Sequence, residues 1–267
     1  MLKFISFGSG SSGNCYLLKS DNTTILLDSG VGIRLLKRYF HDYGFSLSDV
    51  ASILITHDHA DHVKSVGVIS NEFNIPVYAT EEVHKGIQKN YCVRKKVDPA
   101  NKRAIRKNES FDIGDFHVTP FDVPHDSSDN VGYRIENCNT VFCLMTDIGH
   151  ITEEIKENIR LSNYLVIEAN HDESMLQNGP YPQYLKQRIS GGSGHLSNIA
   201  CARVVCECHN PELKHLWLCH LSEENNHPEL VRKTMEMEFS ESGLNIGTDL
   251  SVDVLKRRQP TGVFELL

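Results

Sequence analysis

The sequence predicts an α/β protein, of the kind also classed as α+β. Two β-sheets, each with helices on its outer side, are expected to form a single domain, residues 1–267. The first part of the chain reads as short strands joined by turns, whereas the later part alternates strands with helices. Such a succession is typical of layered sheets with external helices. The length of 267 residues permits one large domain, and no internal repeat or low-complexity block divides it.

The opening segment is predicted to be an antiparallel meander that leads into a buried strand. Its strands are expected at Leu2 to Phe7, Cys15 to Leu18 and Thr24 to Leu27, with a Gly/Ser loop and an Asp21-Asn22 turn between them. A helix from about Gly32 to Tyr43 follows. The apolar run from Ala51 to Ile55 then predicts a short strand that ends at a polar cluster.

Strands and helices alternate over the remainder of the chain. A strand at Pro76 to Ala79 precedes a helix from Thr80 to Asn90, which has Thr80 as N-cap and acidic residues in its first turn. Three or four strands are expected between Phe111 and Thr146. The later elements are a helix near Thr152 to Asn158, a strand at Tyr164 to Glu168, a helix from Ser197, a strand at Leu213 to Leu218, a helix at Pro228 to Phe239 and a strand at Ser251 to Leu255.

Composition excludes several classes of protein. A hydrophobic fraction of 40%, a charged fraction of 23% and a mean hydropathy of -0.32 describe an ordinary globular chain and exclude long disorder, collagen and coiled coil. No apolar run approaches the ~18 residues of a membrane helix, and the first residues lack the features of a signal peptide, so we expect a cytoplasmic protein without a membrane partner. The eight cysteines lack paired spacing and are interpreted as reduced thiols.

The charge is unevenly distributed along the chain. The net charge is -8, yet the segment from Lys85 to Lys107 carries +8 and the remainder -16. Such a run is either a solvated face or a surface that binds a polyanion. The second interpretation predicts that Arg94, Lys95 and Lys96 contact a nucleic acid.

A dense group of metal-ligating side chains follows the strand at Ala51 to Ile55. Residues 57–62 read His-Asp-His-Ala-Asp-His. Packed imidazoles and carboxylates are best stabilised by a divalent cation. Alternation in an extended loop places His57 and His59 on one side and Asp61 and His62 a step further on, which favours two metal ions about 3.5 to 4 Å apart over a single ion.

These residues resemble the metallo-β-lactamase superfamily. The HxHxDH motif is preceded by Asp28 in Leu-Leu-Asp-Ser-Gly and followed by His125, by Asp147 in Thr-Asp-Ile-Gly and by His220. The resemblance spans Phe4 to about Glu229 and implies a four-layer αββα sandwich with the metals at one end of the two sheets. It implies His57, His59 and His125 as ligands of the first metal, Asp61, His62 and His220 as ligands of the second, and Asp147 as the bridging carboxylate.

The resemblance also bears on the metal and on residues around it. Asp28 is expected to orient a ligand histidine without itself binding a metal. An aspartate at position 147 departs from true β-lactamases and leaves nitrogen and oxygen donors, which suit Zn²⁺ or Mn²⁺ and are compatible with Fe²⁺. Hard oxygen donors suit phosphoester chemistry, and Asp61 is expected to act in catalysis as well as in metal binding.

Two further motifs indicate which branch of the superfamily the sequence resembles. Ile167-Glu168-Ala169-Asn170-His171 and Gly194-His195-Leu196-Ser197-Asn198 resemble elements of the tRNA 3′-processing branch, where they form a Glu-His proton relay. The resemblance implies that Glu168 and His195 are catalytic and that His171 lies behind the metal ligands and supports them. The whole set of motifs is similar to the bacterial YycJ/WalJ group, which is associated with 5′-to-3′ exonuclease activity on DNA.

Polar residues near these motifs are candidates for substrate binding. Ser9, Ser11, Ser12 and Asn14 would supply donors to a phosphate, although the same Gly/Ser loop could simply turn a hairpin. Ser197 and Asn198 begin a helix whose N-terminus favours an anion, and Ser197 is equally suited to capping that helix. The interval from Asp147 to His220 is too short for the separate clamp domain that some members of the superfamily insert.

The leading hypothesis is a dinuclear-metal phosphodiesterase acting on nucleic acid, more specifically a 5′-to-3′ DNA exonuclease. A thioester or lactone hydrolase of the glyoxalase II type would share the metal ligands, but it would not explain the Glu168/His195 pair or the basic segment. A metal-stabilised regulatory module without turnover is the third alternative, and an open dinuclear site argues against it.

Overall fold

The computed structural model describes all residues, Met1–Leu267. Its contacts divide the chain into two compact units. Unit 1 contains Met1–Pro120, Ser127–Val131 and Lys256–Leu267, and unit 2 contains Phe121–Asp126 and Gly132–Leu255. Each unit has its own hydrophobic core. The expectation of a single domain stays a prediction.

The first sheet has seven strands and belongs to unit 1. They are β1 (Leu2–Gly8), β2 (Cys15–Lys19), β3 (Thr24–Leu27), β4 (Ser52–Leu54), β5 (Val77–Thr80), β6 (Lys102–Ile105) and β14 (Thr261–Leu266), in the order β14-β1-β2-β3-β4-β5-β6. The predicted meander of β1, β2 and β3 is confirmed as antiparallel. From β3 to β6 the strands are parallel, so their carboxyl ends lie at the same edge of the sheet.

Four helices complete unit 1: α1 (Ile33–Asp42), α2 (Ala60–Val63), α3 (Val66–Phe73) and α4 (Glu81–Lys89). The predicted cap of α4 is confirmed, because the Thr80 side chain accepts a hydrogen bond from the backbone N–H of Val83. Apolar side chains of α1, α3 and α4 share a core with alternate residues of the sheet, including Ile53 and Val77. This core holds the carboxyl ends of β3 and β4 in place.

The second sheet also has seven strands. They are β7 (Phe111–Ile113), β8 (Phe116–Asp122), β9 (Val131–Asn137), β10 (Thr140–Met145), β11 (Tyr164–Glu168), β12 (His215–Cys219) and β13 (Ser251–Val254), in the order β13-β12-β11-β10-β9-β8-β7. The prediction of three or four strands between Phe111 and Thr146 is confirmed by β7 to β10. Strands β10 to β13 are parallel.

Five helices belong to unit 2: α5 (Glu153–Leu161), α6 (Glu173–Asn178), α7 (Gln183–Ser190), α8 (Asn198–Cys208) and α9 (Pro228–Glu241). Side chains of α5, α8 and α9 share a core with residues of the sheet such as Leu165 and Leu218.

No cysteine forms a disulfide, and burial raises the pKa of the Cys143 thiol to about 12. The buried cysteines are therefore packing residues rather than reactive thiols.

Several elements were not predicted. Strand β6 carries Lys102 and Arg103 and has an exposed middle, so its sequence lacks the apolar alternation of a strand. Helix α3 contains Gly67, which disfavours a helix in isolation. A Cβ at position 67 would lie 1.7 Å from the carbonyl oxygen of Lys95, so the close approach of that loop requires glycine. None of the helices combines the length and apolar character that crossing a bilayer demands.

Candidate metal centre

In unit 1 the polar cluster lies at the carboxyl ends of two parallel strands. Asp28 follows β3, and Thr56 and His57 follow β4, whose residue Leu54 is in register with Leu27. The backbone N–H and the hydroxyl of Thr56 both donate to the Asp28 carboxylate, at 2.8 and 2.9 Å. The carboxylate of Asp28 is thus fixed by groups of the neighbouring strand end.

Asp28 also determines how His62 is oriented. The Nδ1 atom of His62 donates to Asp28 Oδ2 at 2.7 Å, and both side chains are fully buried. The other ring nitrogen, Nε2, lies 2.9 Å from Nδ2 of Asn14. A histidine whose Nδ1 proton is held by a carboxylate presents Nε2 as a ligand atom, the arrangement common around protein-bound metals. The geometry of Asp28 thus suits the role expected from the sequence.

The motif at residues 57–62 is not extended throughout. His57 and His59 precede a helical turn, α2, which carries Asp61 and His62. The ring of His57 lies 4.7 Å from that of His59 and 4.1 Å from that of His62, measured between centroids. The extended part of the motif thus ends at His59, and the step that separates Asp61 and His62 from it is the helical turn α2.

Gly30 permits a close crossing of the chain beside this cluster. A Cβ at position 30 would lie 1.5 Å from the carbonyl oxygen of Asp61. The N–H of Gly30 donates to the carbonyl of Asn14, whose own N–H donates to the carbonyl of Asp61. The Leu-Leu-Asp-Ser-Gly sequence therefore supplies both the buried carboxylate and the glycine that lets α2 approach it.

In unit 2 a second cluster lies at the ends of three neighbouring parallel strands. Asp147 follows β10, Glu168 ends β11 and His220 follows β12. Together with His195, these residues place one ligand atom each within 4.8 Å of one another. Carboxyl ends of parallel strands are the usual position of functional sites in such sheets. Nitrogen and oxygen donors gathered in this way are able to bind a divalent metal ion.

Glu168 joins the members of this cluster. Its Oε1 accepts from Nδ1 of His195 at 2.9 Å and from Nδ1 of His220 at 3.0 Å, and its Oε2 accepts from the N–H groups of Ile148 and Leu196. Burial alone would raise the pKa of Glu168, but the nearby charge and hydrogen bond of His195, helped by His220, lower it to about 2. Glu168 is therefore an ionised, fully buried carboxylate.

The charge of Glu168 acts in turn on His195. Burial would lower the pKa of His195, yet the Glu168 carboxylate, with a smaller contribution from Asp147, raises it. His125 also lies near Asp147, with Nε2 3.7 Å from Asp147 Oδ1, and its Nδ1 donates to the carbonyl of Gly194 at 3.0 Å. Nε2 of His125 is thereby presented toward Asp147.

Three of the predicted site residues adopt a left-handed backbone conformation. Asp28, Asp147 and His220 have φ angles of 60°, 57° and 54°. All three are buried. Asp28 and His220 come directly after the last residue of a strand, and Asp147 comes one residue later. Non-glycine residues in this region are uncommon and concentrate at functional sites, where surrounding contacts hold them. The backbone thus turns sharply at each strand end to direct these side chains into their clusters.

The residues predicted to bind substrate near the N-terminus fall into two groups. Ser11 and Ser12 are exposed, whereas Ser9 and Asn14 are fully buried. The hydroxyl of Ser9 lies 2.9 Å from that of Tyr16, and Asn14 contacts Asp61 as well as His62. Asn14 therefore positions the predicted metal ligands, a role that sequence reasoning missed.

The predicted substrate residues at the start of α8 have structural contacts. The Ser197 side chain accepts from the N–H of Ala200 and donates to Glu173, so it is the N-cap of α8. Asn198 forms a reciprocal amide pair with Asn226. His171 is buried, and its carbonyl accepts the backbone N–H of Asn198 at 2.8 Å. The start of α8 is thus fixed to the loop that follows β11.

The basic segment contains both free and engaged side chains. Arg94 and Lys95 are exposed, next to Tyr91, whose surface is 91% exposed. The ammonium of Lys96 donates to the carbonyls of Ile87 and Asn90 at the end of α4, so it stabilises the C-terminus of that helix. Of the three residues predicted to bind nucleic acid, two are thus open to solvent.

Two supporting residues also escaped prediction. Asp58, inside the motif at 57–62, accepts from the N–H and hydroxyl of Ser128 and packs against Gly86 of α4, where a Cβ would lie 2.0 Å from its carboxylate. The side chain of Asn170 donates to the carbonyl of His220 at 2.8 Å. The apolar-polar pattern gives no signal for such contacts, because each depends on a partner distant in sequence.

Comparison with known proteins establishes the family. The beta-lactamase superfamily domain matches residues 23–220, about three-quarters of the chain. This protein belongs to the beta-lactamase superfamily. The resemblance inferred from the motifs is thereby confirmed, and so is the prediction that the protein is a metal-dependent hydrolase.

Relatives of this superfamily member extend over almost its whole length. It is 31% identical over 262 residues to the exodeoxyribonuclease YycJ of Bacillus anthracis, covering 98% of each chain. It is 32% identical over 250 residues to the exodeoxyribonuclease WalJ of Streptococcus pneumoniae, covering 94% of this chain and 93% of the relative.

The crystal structure of the metallo-beta-lactamase fold protein YhfI from Bacillus subtilis matches 99% of this chain and 100% of its own, with a TM-score of 0.72 and 17% identity. This match confirms the predicted fold class.

Proposed function

We propose that this superfamily member is a phosphodiesterase that uses two divalent metal ions to degrade DNA from the 5′ end. The observation that carries the proposal is the hydrogen-bonded pair of Glu168 and His195 beside Asp147. An imidazole whose charged form is favoured by a buried carboxylate can supply the proton which an alkoxide leaving group needs. The names of the two exodeoxyribonuclease relatives support DNA as the substrate, and we place this activity in the cytoplasm.

The metal ions are proposed to be Zn²⁺ or Mn²⁺, with Fe²⁺ also compatible with the donors. The residues that would hold them are His57, His59 and His125 for one ion, Asp61, His62 and His220 for the other, and Asp147 for both. The buried Nδ1 contact between His62 and Asp28 and the close ligand atoms around Asp147 fit such ions. Two bound cations lower the pKa of a water molecule and polarise phosphoryl oxygens.

The chain's own residues would position and protonate the substrate. Nδ1 of His195 is held by Glu168, which leaves Nε2 to donate a proton to the leaving oxygen. The Glu168 carboxylate raises the pKa of His195, which favours the charged imidazole, and it fixes the ring through a single buried oxygen. His195 is thus proposed as the general acid and Glu168 as the residue that maintains it.

The basic segment from Lys85 to Lys107 is proposed to hold the DNA strand. Arg94 and Lys95 supply exposed positive charge, and Tyr91 supplies an exposed aromatic face in the same segment. Cationic side chains neutralise phosphates, and bases stack on aromatic rings, in proteins that bind single strands without sequence preference. Electrostatic and stacking contacts from this one segment would therefore bind the DNA strand.

The proposal is tested by supplying three substrates to the metal-loaded protein. We expect turnover of bis(p-nitrophenyl) phosphate and of end-labelled DNA oligonucleotides, with release of nucleotides from the 5′ end, and no turnover of S-lactoylglutathione. Hydrolysis of S-lactoylglutathione without any phosphodiester cleavage would favour a glyoxalase II-type hydrolase instead. A protein that binds two metals and turns over none of the three would be a regulatory module.

A further inference from the structure

A cavity of about 460 Å³ lies beside His195 within unit 2. Its walls come from the loop after Asp147, from α6 and α7, and from the first turn of α8. The volume falls in the range of small-molecule sites, which are roughly 300 to 1,000 Å³. The cavity is therefore large enough for one small ligand.

His195 connects this cavity to the Glu168 cluster. Its side chain is only 17% exposed, because Glu168 and Asp147 cover the Nδ1 side, and the ring is part of the cavity wall. A group protonated by His195 must approach its open side. The occupant of the cavity would consequently be attached to the oxygen that leaves during hydrolysis.

His171 contributes an imidazole to the cavity wall. It is 3% exposed, it lines the cavity, and its Nδ1 atom is buried without a hydrogen-bond partner. A buried polar atom without a hydrogen bond is unfavourable in a folded protein. Nδ1 has no accessible surface, so His171 offers a ligand in the cavity its other ring atoms and not this nitrogen.

The remaining walls suit a nucleotide. Leu176 and Leu196 provide apolar surface for a base or sugar. Lys186, whose ammonium is anchored to the carbonyl of Gln177, and the N-terminus of the eleven-residue helix α8 favour an anionic group. Glu173 is the one carboxylate in the wall, and it already accepts a hydrogen bond from Ser197.

We propose that this cavity holds the terminal nucleotide of the DNA strand, which is the leaving group of the reaction. The inference rests on the proposed function. Water attacks the phosphorus of the second nucleotide, the bond from that phosphorus to O3′ of the terminal nucleotide breaks, and His195 gives its proton to O3′. The new phosphate oxygen comes from water, so no other reactant is needed. A cavity that accepts one nucleotide would restrict cleavage to chain ends.

Filling the cavity with a large side chain tests this assignment. Ala200 lines the cavity from the first turn of α8 and is half-buried, so Ala200→Trp would occupy the space. Its neighbour Ile199 is also half-buried but lines a different surface, which makes Ile199→Trp the matched control. Ser190→Trp, at an exposed position of the same cavity wall, serves as a second variant in case Ala200→Trp does not fold.

The measurement is calorimetric binding of deoxyadenosine 5′-monophosphate to the metal-loaded protein. We expect Ala200→Trp or Ser190→Trp to raise its Kd at least tenfold and to slow nucleotide release from oligonucleotides by a similar factor, while Ile199→Trp matches the wild type. Orthophosphate, tested in parallel, should bind the wild type and Ala200→Trp equally, because it needs the metals and not the cavity.

Two results would overturn the assignment: a Kd for the nucleotide that no filling variant changes, or a wild-type protein that does not bind the nucleotide. Failure of the proposed function can be told apart from failure of this assignment. In that case the wild-type protein would cleave no phosphodiester, whatever its affinity for the mononucleotide.

Discussion

The Nδ1 atom of His195 donates to Glu168 Oε1 across 2.9 Å, and the same oxygen receives a second hydrogen bond from His220. Glu168 thereby ties the proposed general acid to a proposed metal ligand through one buried atom. Its second oxygen is held by the backbone of Ile148 and Leu196, so the carboxylate has little freedom to move. The position of His195 relative to His220 is consequently set by Glu168.

His195→Ala should slow hydrolysis of substrates with poor leaving groups. The expected loss in kcat is about 10² to 10⁴, the usual contribution of general acid-base catalysis. Bis(p-nitrophenyl) phosphate should be affected much less, because p-nitrophenolate leaves without a proton. Steady-state rates on an oligonucleotide and on this ester provide the comparison, with metal content measured alongside. Equal slowing of both substrates would make His195 a structural residue.

Glu168→Gln should lower the pKa of His195. In the wild type the carboxylate raises this pKa above its usual 6.5, so His195 keeps its proton to higher pH. An uncharged glutamine removes that attraction and leaves the effect of burial, which disfavours the imidazolium. Nuclear magnetic resonance titration of the chelator-treated proteins measures both values. A pKa for His195 that is the same in both proteins would show that Glu168 does not maintain its charge.

Asp28→Asn should weaken metal binding without touching a metal ligand. The amide cannot replace the carboxylate that accepts the Nδ1 proton of His62, and such changes typically cost about 10- to 100-fold in metal affinity. Competition with a chelating dye measures the affinity. Asp42→Asn, at an exposed position on α1, is the control and should bind metal like the wild type. Unchanged affinity in Asp28→Asn would remove Asp28 from the site.

Charge reversal in the basic segment should weaken DNA binding in a salt-dependent way. We choose Arg94→Glu with Lys95→Glu and leave Lys96 intact, because Lys96 stabilises the end of α4. The log-log salt slope of oligonucleotide binding should flatten by about 0.7 to 0.9 for each phosphate that the protein no longer neutralises. Reversal of Arg232 and Lys233, exposed on α9, is the control. If the slope is the same in all three proteins, the segment is a solvated face.

Much of the fold was predictable because its strands and caps are local features. Thr24–Leu27 and Tyr164–Glu168 are continuous apolar runs with polar ends, and Thr80 before two glutamates predicts the start of α4. Helix α3 was missed because it contains Gly67, which is required by contact with a distant loop. Strand β6 was missed because Lys102 and Arg103 break the apolar pattern expected of a strand. Local propensity does not contain that information.

Some residues of the candidate site could likewise be predicted from the sequence, and others could not. The run of histidines and aspartates at 57–62 is visible in the sequence, so His57 was named from it, whereas Asp147 and His220 were named through the resemblance to the metallo-β-lactamase superfamily. The residues that position them were not all visible, because Asn14 and Asn170 act through contacts with partners about fifty residues away. The cavity beside His195 was equally hidden, since its walls come from elements separated along the chain.

On the proposed function, metal bound through Asp147 is required to cleave DNA. The most direct test is elemental analysis and oligonucleotide hydrolysis on the same preparations of the wild type, Asp147→Ala and His59→Ala. We expect two metal ions per wild-type chain and release of nucleotides from the 5′ end, with metal and activity abolished together in both variants. Asp147→Ala protein that retains two metal ions and normal turnover would show that Asp147 does not hold the catalytic metals.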